Sequence, residues 1–244
     1  ARHFKLQDHY NIRGDSCPQV YFAIACTGTP YTRAARMTAA HDAAAIRESF
    51  GEIDIYLFDQ LLRGRFDDRR RILDAGCGGG RNLRYFVRSG FEVFGVDRSE
   101  RAIASVRSMA AELAAGSDPE NFRAAEIDAL PWPDRHFDAI VCNAVLHFAA
   151  DPDHFGRMLE EMWRVLRPGG LFFARLASTI GLEPPVQLDE NRRARLPDGS
   201  ERFLVGEPLL RQWMVRLDAV QLDPIKTTNV ENLRCMTTWV LEKR

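Results

Sequence analysis

The sequence predicts an α/β protein built on a doubly wound, mainly parallel sheet with helices on both faces. Three observations support this prediction. Short apolar runs typical of buried strands alternate with amphipathic helical patterns through the middle of the chain. A turn crowded with glycine, residues 76–80, follows the first of these strands. Two strand-like runs, 219–228 and 233–241, close the sequence and predict a terminal hairpin.

The glycine-rich turn lies in the stretch RILDAGCGGGRN, residues 71–82. This stretch begins as an apolar strand, breaks at four glycines in five positions, and enters a helical pattern at 83–87. Glycine is needed where the backbone takes a positive φ or comes into contact with a ligand. Packing alone does not account for so many glycines, so we expect the turn to bind a ligand.

The spacing of the glycines decides between three kinds of nucleotide site. A dinucleotide-binding turn reads GxGxxG, and here its third glycine would fall on Arg81, which weakens that interpretation. A P-loop requires Lys-Ser or Lys-Thr after the turn, and neither pair is present. The remaining pattern is Asp74, Gly76, Gly78 and Gly80, with the acidic residue at the end of the strand. This pattern resembles the first motif of class I S-adenosylmethionine-dependent methyltransferases.

Four further segments resemble later motifs of the same family and occur in the family's order. They are the second strand 91–97, the acidic stretch 126–133, the fourth strand 137–143 and the turn 165–171. The matched region therefore runs from about residue 72 to 177, which we interpret as a cofactor-binding core.

The resemblance implies a fold, a cofactor and a set of binding residues. The implied fold is a single Rossmann-like sheet of seven strands in the order 3-2-1-4-5-7-6, with an antiparallel last strand. The implied cofactor is S-adenosylmethionine. Asp97 would bind its ribose hydroxyls, while the side chain of Asp128 and the amide of Ala129 would meet the adenine edge. The implied cofactor-binding residues are Asp74, Gly76, Gly78, Gly80, Asp97, Arg98, Asp128, Ala129 and Asn143.

Composition limits the partners and the compartment. Of 244 residues, 45% are apolar and 27% charged, which is typical of a globular protein with one substantial core. The net charge of -1 gives no basic surface for nucleic acid, so a small-molecule acceptor is favoured.

The five cysteines are odd in number and lack paired C-x-x-C spacing, which indicates reduced thiols and no metal site. No apolar run approaches the roughly 18 residues of a membrane span, so we expect a cytoplasmic enzyme.

Residues 1–36 differ from the rest of the chain. Glycines and prolines interrupt them, and no helical or alternating pattern persists. We interpret them as an irregular N-terminal extension, upstream or non-native in origin and dispensable for folding. The alternative is a signal-peptide core at 20–26, which would be at the short limit for such a core. The methyltransferase domain is then predicted to occupy 37–244.

From residue 38 onward, helical and strand patterns alternate as a doubly wound sheet requires. The helical patterns are 38–50, 53–62, 99–114, 155–166 and 207–217. The strand patterns before the terminal hairpin are 71–75, 91–97, 121–126, 137–142 and 171–177. The run 137–142 is almost continuously apolar, which is typical of a central parallel strand buried on both faces.

The segment 178–206 does not fit this alternation. An Asp-Gly pair at 198–199 strongly predicts a hairpin, and we interpret the segment as an inserted arm near the active site. The remainder, 207–244, is a helix plus the terminal hairpin, which resembles the reversed sixth and seventh strands of the family. The arm and the stretch 234–241 resemble tellurite-resistance-type and other small-molecule methyltransferases.

The chemistry of methyl transfer places limited demands on the protein. Displacement at a sulfonium has a good leaving group, so positioning and the exclusion of water supply much of the acceleration. A base is needed only when the acceptor must lose a proton. His147 is the candidate base, and the alternative is a packed histidine beside the cofactor. Arg175 and Arg202 are candidate contacts for an anionic acceptor, unless each pairs with a nearby carboxylate.

The sequence thus predicts an S-adenosylmethionine-dependent methyltransferase that acts on a small molecule. The alternatives are an RNA or protein methyltransferase, a non-catalytic module that binds the cofactor, and a nicotinamide-dependent oxidoreductase. Asn143 lacks the Pro-Pro-Tyr or Pro-Pro-Phe continuation of resembling enzymes that methylate amino groups of DNA and protein glutamine, which disfavours those substrates. The acceptor, its reacting atom and the oligomeric state are not predicted.

Overall fold

The computed structural model describes residues 43–244. Its helices are α1 (Ala43–Phe50), α2 (Ile55–Leu62), α3 (Arg84–Arg88), α4 (Glu100–Leu113), α5 (Pro152–Val165) and α6 (Glu207–Arg216). Its strands are β1 (Arg71–Ala75), β2 (Glu92–Asp97), β3 (Phe122–Ala124), β4 (Phe137–Asn143), β5 (Leu166–Ser178), β6 (Arg193–Arg195), β7 (Glu201–Phe203), β8 (Ala219–Gln221), β9 (Lys226–Val230) and β10 (Arg234–Lys243). The predicted N-terminal extension and the predicted helix start at residue 38 lie outside the described residues.

The main sheet has the order β3-β2-β1-β4-β5-β10-β8, and β9 also pairs with β10. The first five strands run parallel, whereas β10 is antiparallel to β5. Strands β8 and β9 share the outer side of β10, and residues 222–225 separate them. Pro224 lies in this gap and cannot donate a ladder hydrogen bond. The predicted order 3-2-1-4-5-7-6 is therefore confirmed, with the sixth strand divided in two.

Strand β4 is the centre of the core, and all of its residues are buried. Ile140 and Cys142 face the side covered by α5, while Ala139 and Val141 face the side covered by α3 and α4. Burying a Val, Leu, Ile, Phe or Met side chain stabilises a fold by roughly 1.5–3 kcal/mol, so a strand that is apolar on both faces is held firmly at the centre. The carboxyl end of β4 is consequently held in a fixed position by the core.

Helix α5 begins earlier than its apolar pattern predicts. The side chain of Asp151 accepts a hydrogen bond of 2.7 Å from the backbone N–H of His154, and Pro152 takes the first helical position. An Asp cap followed by proline is a strong start signal for a helix. The helix therefore includes His154 in its first turn and directs it towards the carboxyl edge of the sheet.

The arm contains the hairpin predicted at its Asp-Gly pair. Strands β6 and β7 are antiparallel, and Gly199 takes a φ of +82° in the connecting turn. Arg193 Nη1 donates a hydrogen bond of 2.7 Å to the carbonyl of Ala149. The hairpin is thereby fastened to the turn that follows β4, beside the carboxyl edge of the sheet.

Candidate functional site at the carboxyl edge of the sheet

A cavity of about 300 Å³ lies at the carboxyl ends of β1, β2 and β4. In doubly wound sheets, ligands bind where the strand order reverses, and here this point lies between β1 and β4. The cavity volume is at the lower end of the range for small-molecule sites. Its wall comes from the glycine turn, the end of β2, the segment after β3, the end of β4 and the first turns of α5.

The glycines of the turn have three different surroundings. Gly76 has a φ of +84°, and a Cβ on it would lie 2.3 Å from Val145 Cγ2, so only glycine allows the turn to lie against the end of β4. Gly78 has a φ of +51°, and a Cβ there would have no atom within 4 Å. Gly80 packs against α4, where its Cβ would lie 2.4 Å from Met109 Cε. Gly76 lines the cavity, Gly78 faces open space, and Gly80 serves helix packing.

Asp97 ends β2 and ties the glycine turn to it. Its Oδ2 accepts a hydrogen bond of 3.0 Å from Gly78 N, and its Oδ1 accepts one of 2.9 Å from Ser99 N. Each carboxylate oxygen can accept a further bond, and Asp97 and the adjacent Arg98 both line the cavity. The structure therefore brings these two predicted residues to the site with hydrogen-bonding capacity left on the carboxylate.

Two buried polar side chains near the cavity have no hydrogen-bond partner among residues 43–244. Both carboxylate oxygens of Asp74 and both polar atoms of the Asn143 side chain are unpartnered, and Asn143 lines the cavity. Burial raises the pKa of Asp74 to about 7, an effect that Arg81 opposes and Asp97 reinforces. Buried polar groups are almost always hydrogen-bonded. These atoms therefore fit a site that a polar, partly cationic ligand completes.

The cavity is lined two residues before the predicted adenine contacts, Asp128 and Ala129, whose role stays a prediction. Residues 125–127, which include Glu126 and Ile127, line the cavity, whereas Asp128 and Ala129 do not. The carboxylate of Asp128 turns instead to His154 Nε2 at 3.7 Å, and Ala129 N donates to the carbonyl of Glu126. Strand β3 ends at Ala124. Glu126, the first acidic residue beyond the strand, therefore lines the cavity, whereas Asp128, the second, does not.

His147 is placed as a packed histidine. It is 5% exposed, and its Nδ1 accepts a hydrogen bond of 3.3 Å from the backbone N–H of Ala177. Burial, together with the charge of Arg202, lowers its pKa to about 4. The neutral ring therefore carries its proton on Nε2, and the nitrogen without a proton is already occupied. This geometry disfavours the predicted role of His147 as a base.

The two predicted acceptor arginines are held separately. Arg175 Nη1 donates a hydrogen bond of 2.9 Å to Asp54 Oδ2. The guanidinium of Arg202 lies 4.7 Å from the ring centroid of Phe148 and also donates to the carbonyl of Glu201. Neither arginine lines the cavity. Pairing of Arg175 with a carboxylate occurs as the sequence alternative proposed, but the partner caps α2 instead of lying in the arm.

Sequence reasoning missed the apolar part of the cavity wall, which includes Val145, Phe148 and Met158. It also missed His154, whose Nδ1 accepts a hydrogen bond of 3.1 Å from Ala150 N. His154 and Met158 are four residues apart on α5 and so share a face of the helix. That spacing was a usable signal once the helix start at Asp151-Pro152 was recognised.

Residues 73–174 match a protein family described as a methyltransferase domain. A malonyl-[acyl-carrier protein] O-methyltransferase of Pseudescherichia vulneris is 36% identical over 121 residues, covering 48% of this chain and 44% of the relative. A ubiquinone biosynthesis O-methyltransferase of Sinorhizobium fredii is 37% identical over 135 residues, covering 54% and 52%. The chain thus spans about half the length of these curated relatives.

A solved structure shows the same fold. The 1,6-didemethyltoxoflavin-N1-methyltransferase of Burkholderia thailandensis, solved with S-adenosylhomocysteine and 1,6-didemethyltoxoflavin, matches with a TM-score of 0.58 at 20% identity, covering 82% of this chain and 81% of that one. The strand order, the glycine turn that Asp97 holds, and the family match over β1 to β5 point to one family. Residues 73–174 match the methyltransferase domain, and this part of the chain resembles the class I S-adenosylmethionine-dependent methyltransferases.

Proposed function

We propose that this protein transfers a methyl group from S-adenosylmethionine to a small-molecule acceptor. The observation that carries the proposal is the cavity at the switch point of the sheet, where Asp97 retains acceptor capacity and Asn143 has unpartnered polar atoms. Curated relatives that act as O-methyltransferases support a small acceptor. A cytoplasmic location is part of the proposal, in keeping with the free cysteines Cys77, Cys142 and Cys235.

The residues present fit this cofactor. Asp97 would accept hydrogen bonds from the ribose hydroxyls, and the open face of Gly78 would allow close approach of the ligand to the backbone. Glu126 and Ile127 would meet the adenine edge. Asp74 and the side-chain carbonyl Oδ1 of Asn143 would accept hydrogen bonds from the polar methionine end. When bound, the cofactor supplies an electrophilic methyl group and a neutral thioether leaving group.

The protein's own contribution is positioning. The glycine turn is fixed by Asp97 and by the close contact of Gly76 with Val145. Holding the reacting groups in line can account for a large part of such a rate enhancement.

The helices described within residues 43–244 include none with the length and apolar character of a membrane span.

Replacing Gly78 by valine should weaken cofactor binding at least tenfold. A Cβ at this position projects into open space, where we place the ligand, and the branched side chain also disfavours the positive φ. Gly79→Ala is the matched control, because its Cβ also meets nothing within 4 Å and its φ is not positive. Calorimetry measures both affinities. Equal affinities for the two variants would show that the turn does not contact the cofactor.

Cofactor affinity should rise with pH up to about 7. The pKa of Asp74 is raised from 3.8 to about 7, and a carboxylate that binds the methionine ammonium must be ionised. Below pH 7, binding therefore requires loss of a proton, and the affinity should fall by about tenfold per pH unit. The measurement is the dissociation constant between pH 5.5 and 8.5. Asp74→Asn should remove the slope, and an identical slope in that variant would contradict the assignment.

The proposed activity is tested with methyl-labelled cofactor and a panel of small acceptors. We expect label in a small molecule. Label in RNA or protein would favour a macromolecular substrate, and saturable binding without transfer would favour a cofactor-binding module. Titration with NADH separates these outcomes from the oxidoreductase alternative, because a methyltransferase should bind NADH weakly or not at all.

A further inference from the structure

A row of polar side chains crosses the carboxyl edge of the sheet beyond the cavity. Asn143 of β4 pairs with Arg175 of β5, Arg175 pairs with Thr238 of β10, and Thr238 pairs with Lys226 of β9. Register partners in a sheet point to the same face. The four side chains therefore stand side by side, on the face where Arg175 and Lys226 contact α2.

Three neighbours in this row have buried polar atoms without partners in the part of the chain that the structure describes. They are both polar atoms of Asn143, Nε of Arg175 and Oγ1 of Thr238. Asn143 is 6% exposed and Thr238 is 4% exposed. An unsatisfied buried polar group costs about 1–3 kcal/mol, so three adjacent residues carrying such groups are not expected from packing alone. The groups indicate a place for a polar ligand.

The preceding row on the same face is apolar. It consists of Val141, Phe173 and Val240, which are register partners and fully or almost fully buried. The polar row is the last one on this face to which β4 contributes, because β4 ends at Asn143, and ligands of such sheets bind beyond the carboxyl ends of strands. This difference between neighbouring rows indicates that the polar side chains bind a ligand, because the preceding row on the same face is apolar.

The row extends away from the cofactor cavity. Asn143 lines the cavity, whereas Arg175 and Thr238 do not. Adjacent strands lie about 4.8 Å apart, so β10, the third strand from β1, lies roughly 14 Å from the glycine turn. A cofactor whose ribose is at β2 would have its methyl group near β4. The acceptor must approach from the opposite side, which is the side of this row.

Helix α2 fixes the orientation of Arg175. Asp54 caps the helix and binds Arg175 Nη1, and the guanidinium lies 5.0 Å from the ring centroid of Tyr56. The backbone N–H of Asp54 donates a hydrogen bond of 3.0 Å to Oδ1 of Asn82, which lies two residues beyond the glycine turn. Arg175 is thus anchored by one nitrogen, while its Nε is left for a ligand.

The chemistry of the row selects the acceptor. Arg175 Nε, Asn143 Nδ2 and the Thr238 hydroxyl are donors, which suit an oxygen atom carrying negative charge. Among the described residues, the carboxylates that contact the row form ion pairs with Arg175 or Lys226. They are Asp54, Asp59 and Asp223. Nδ1 of His147 already accepts a hydrogen bond from Ala177. Among the described residues, the row therefore supplies hydrogen-bond donors but no unpaired group that could remove a proton.

We propose, on the basis of the methyl transfer proposed above, that Asn143, Arg175 and Thr238 bind the nucleophilic oxygen of an acceptor that arrives as an oxyanion, either a carboxylate or an acidic phenol or enol. The oxyanion lone pair forms the new O–CH₃ bond while the S–CH₃ bond breaks and its electron pair remains on sulfur. The cationic sulfonium and the anionic oxygen become a neutral thioether and a neutral ester or ether. No proton is transferred in this step.

Two adjacent threonines provide the test. Thr238 is in the row and its hydroxyl has no partner, whereas Thr237 is equally buried and bonds to Thr227 and Ser178. In Thr238→Val we expect an unchanged or higher melting temperature, unchanged cofactor affinity and an acceptor KM raised about tenfold. In Thr237→Val we expect a lower melting temperature and an unchanged KM. A purely structural role for Thr238 would not produce this separation.

The probes are benzoate, malonate and 4-nitrophenolate, with benzyl alcohol, benzylamine and benzyl thiol as comparisons, all with labelled cofactor. Transfer to an oxyanion probe, with the KM effect confined to Thr238→Val, supports the proposal. Three results would overturn it. The first is preferred transfer to an alcohol, amine or thiol, and the second is an unchanged KM in Thr238→Val. The third is a protein that binds the cofactor but neither methylates nor binds any oxyanion probe. Cofactor titration is independent of these results, so failure of the methyltransferase proposal itself would be seen separately.

Discussion

Asp97→Ala should weaken S-adenosylmethionine binding by about 2–4 kcal/mol, or roughly 30- to 1,000-fold, while the protein remains folded. The change would remove a charged acceptor for the two ribose hydroxyls. It would also release Gly78 N and Ser99 N, which the carboxylate now binds. The glycine turn would also lose its hydrogen bond to the end of β2, which should place the loss in the upper part of this range.

The control for this prediction is Glu100→Ala. Glu100 is exposed in the first turn of α4, three residues beyond Asp97. Its substitution removes the same negative charge but no hydrogen bond to the glycine turn. Titration calorimetry should give this variant nearly the affinity of the wild type. If Asp97→Ala binds the cofactor within threefold of Glu100→Ala, Asp97 is not in the site.

Arg175→Ala should lower the free energy of unfolding by about 2–4 kcal/mol. The substitution leaves the carboxylate of Asp54, which is 4% exposed, without its ionic partner. Breaking a buried pair by removing one partner typically costs about 3–5 kcal/mol, and we take a lower range because Arg175 retains 18% exposure. Urea denaturation measures the loss.

The double variant Asp54→Asn, Arg175→Gln provides the control for Arg175→Ala. Asparagine can still cap α2, and no unpaired charge remains, so most of the lost stability should return. A loss below about 1 kcal/mol in Arg175→Ala, or no recovery in the double variant, would show that the pair does not hold α2 to β5.

Much of the fold was predictable from local patterns. The almost continuous apolar run at 137–142 identified β4 because a central parallel strand is buried on both faces. The Asp-Gly pair at 198–199 identified the hairpin of the arm because that dipeptide tolerates positive φ. The strand order followed from the family resemblance, since periodicity alone does not order strands.

The assignment of Asp128 and Ala129 to the adenine edge stays a prediction, and the sequence could not predict that the cavity wall would be formed by residues 125–127. Strand β3 has three residues and lies at the sheet edge, so its sequence carries neither a long apolar run nor a clear end. Asp128 was assigned from the family resemblance, and no sequence signal shows where this short strand ends relative to Glu126 and Asp128. The structure settles which of the two lines the cavity.

The partner of Arg175 was not predictable at all. Asp54 lies 121 residues earlier in the chain, and the two meet only when α2 packs on the carboxyl edge of the sheet. The polar row depends in the same way on the antiparallel register between β10 and β5. One residue of slip would place Thr237 in the row instead of Thr238.

The most direct test of the account is calorimetric titration of the wild-type protein with S-adenosylmethionine at pH 7.5. We predict saturable binding at one site, for which S-adenosylhomocysteine competes and at which Asp97→Ala weakens the affinity roughly 30- to 1,000-fold. Absence of binding to the folded protein, or binding of NADH in preference to S-adenosylmethionine, would contradict the account.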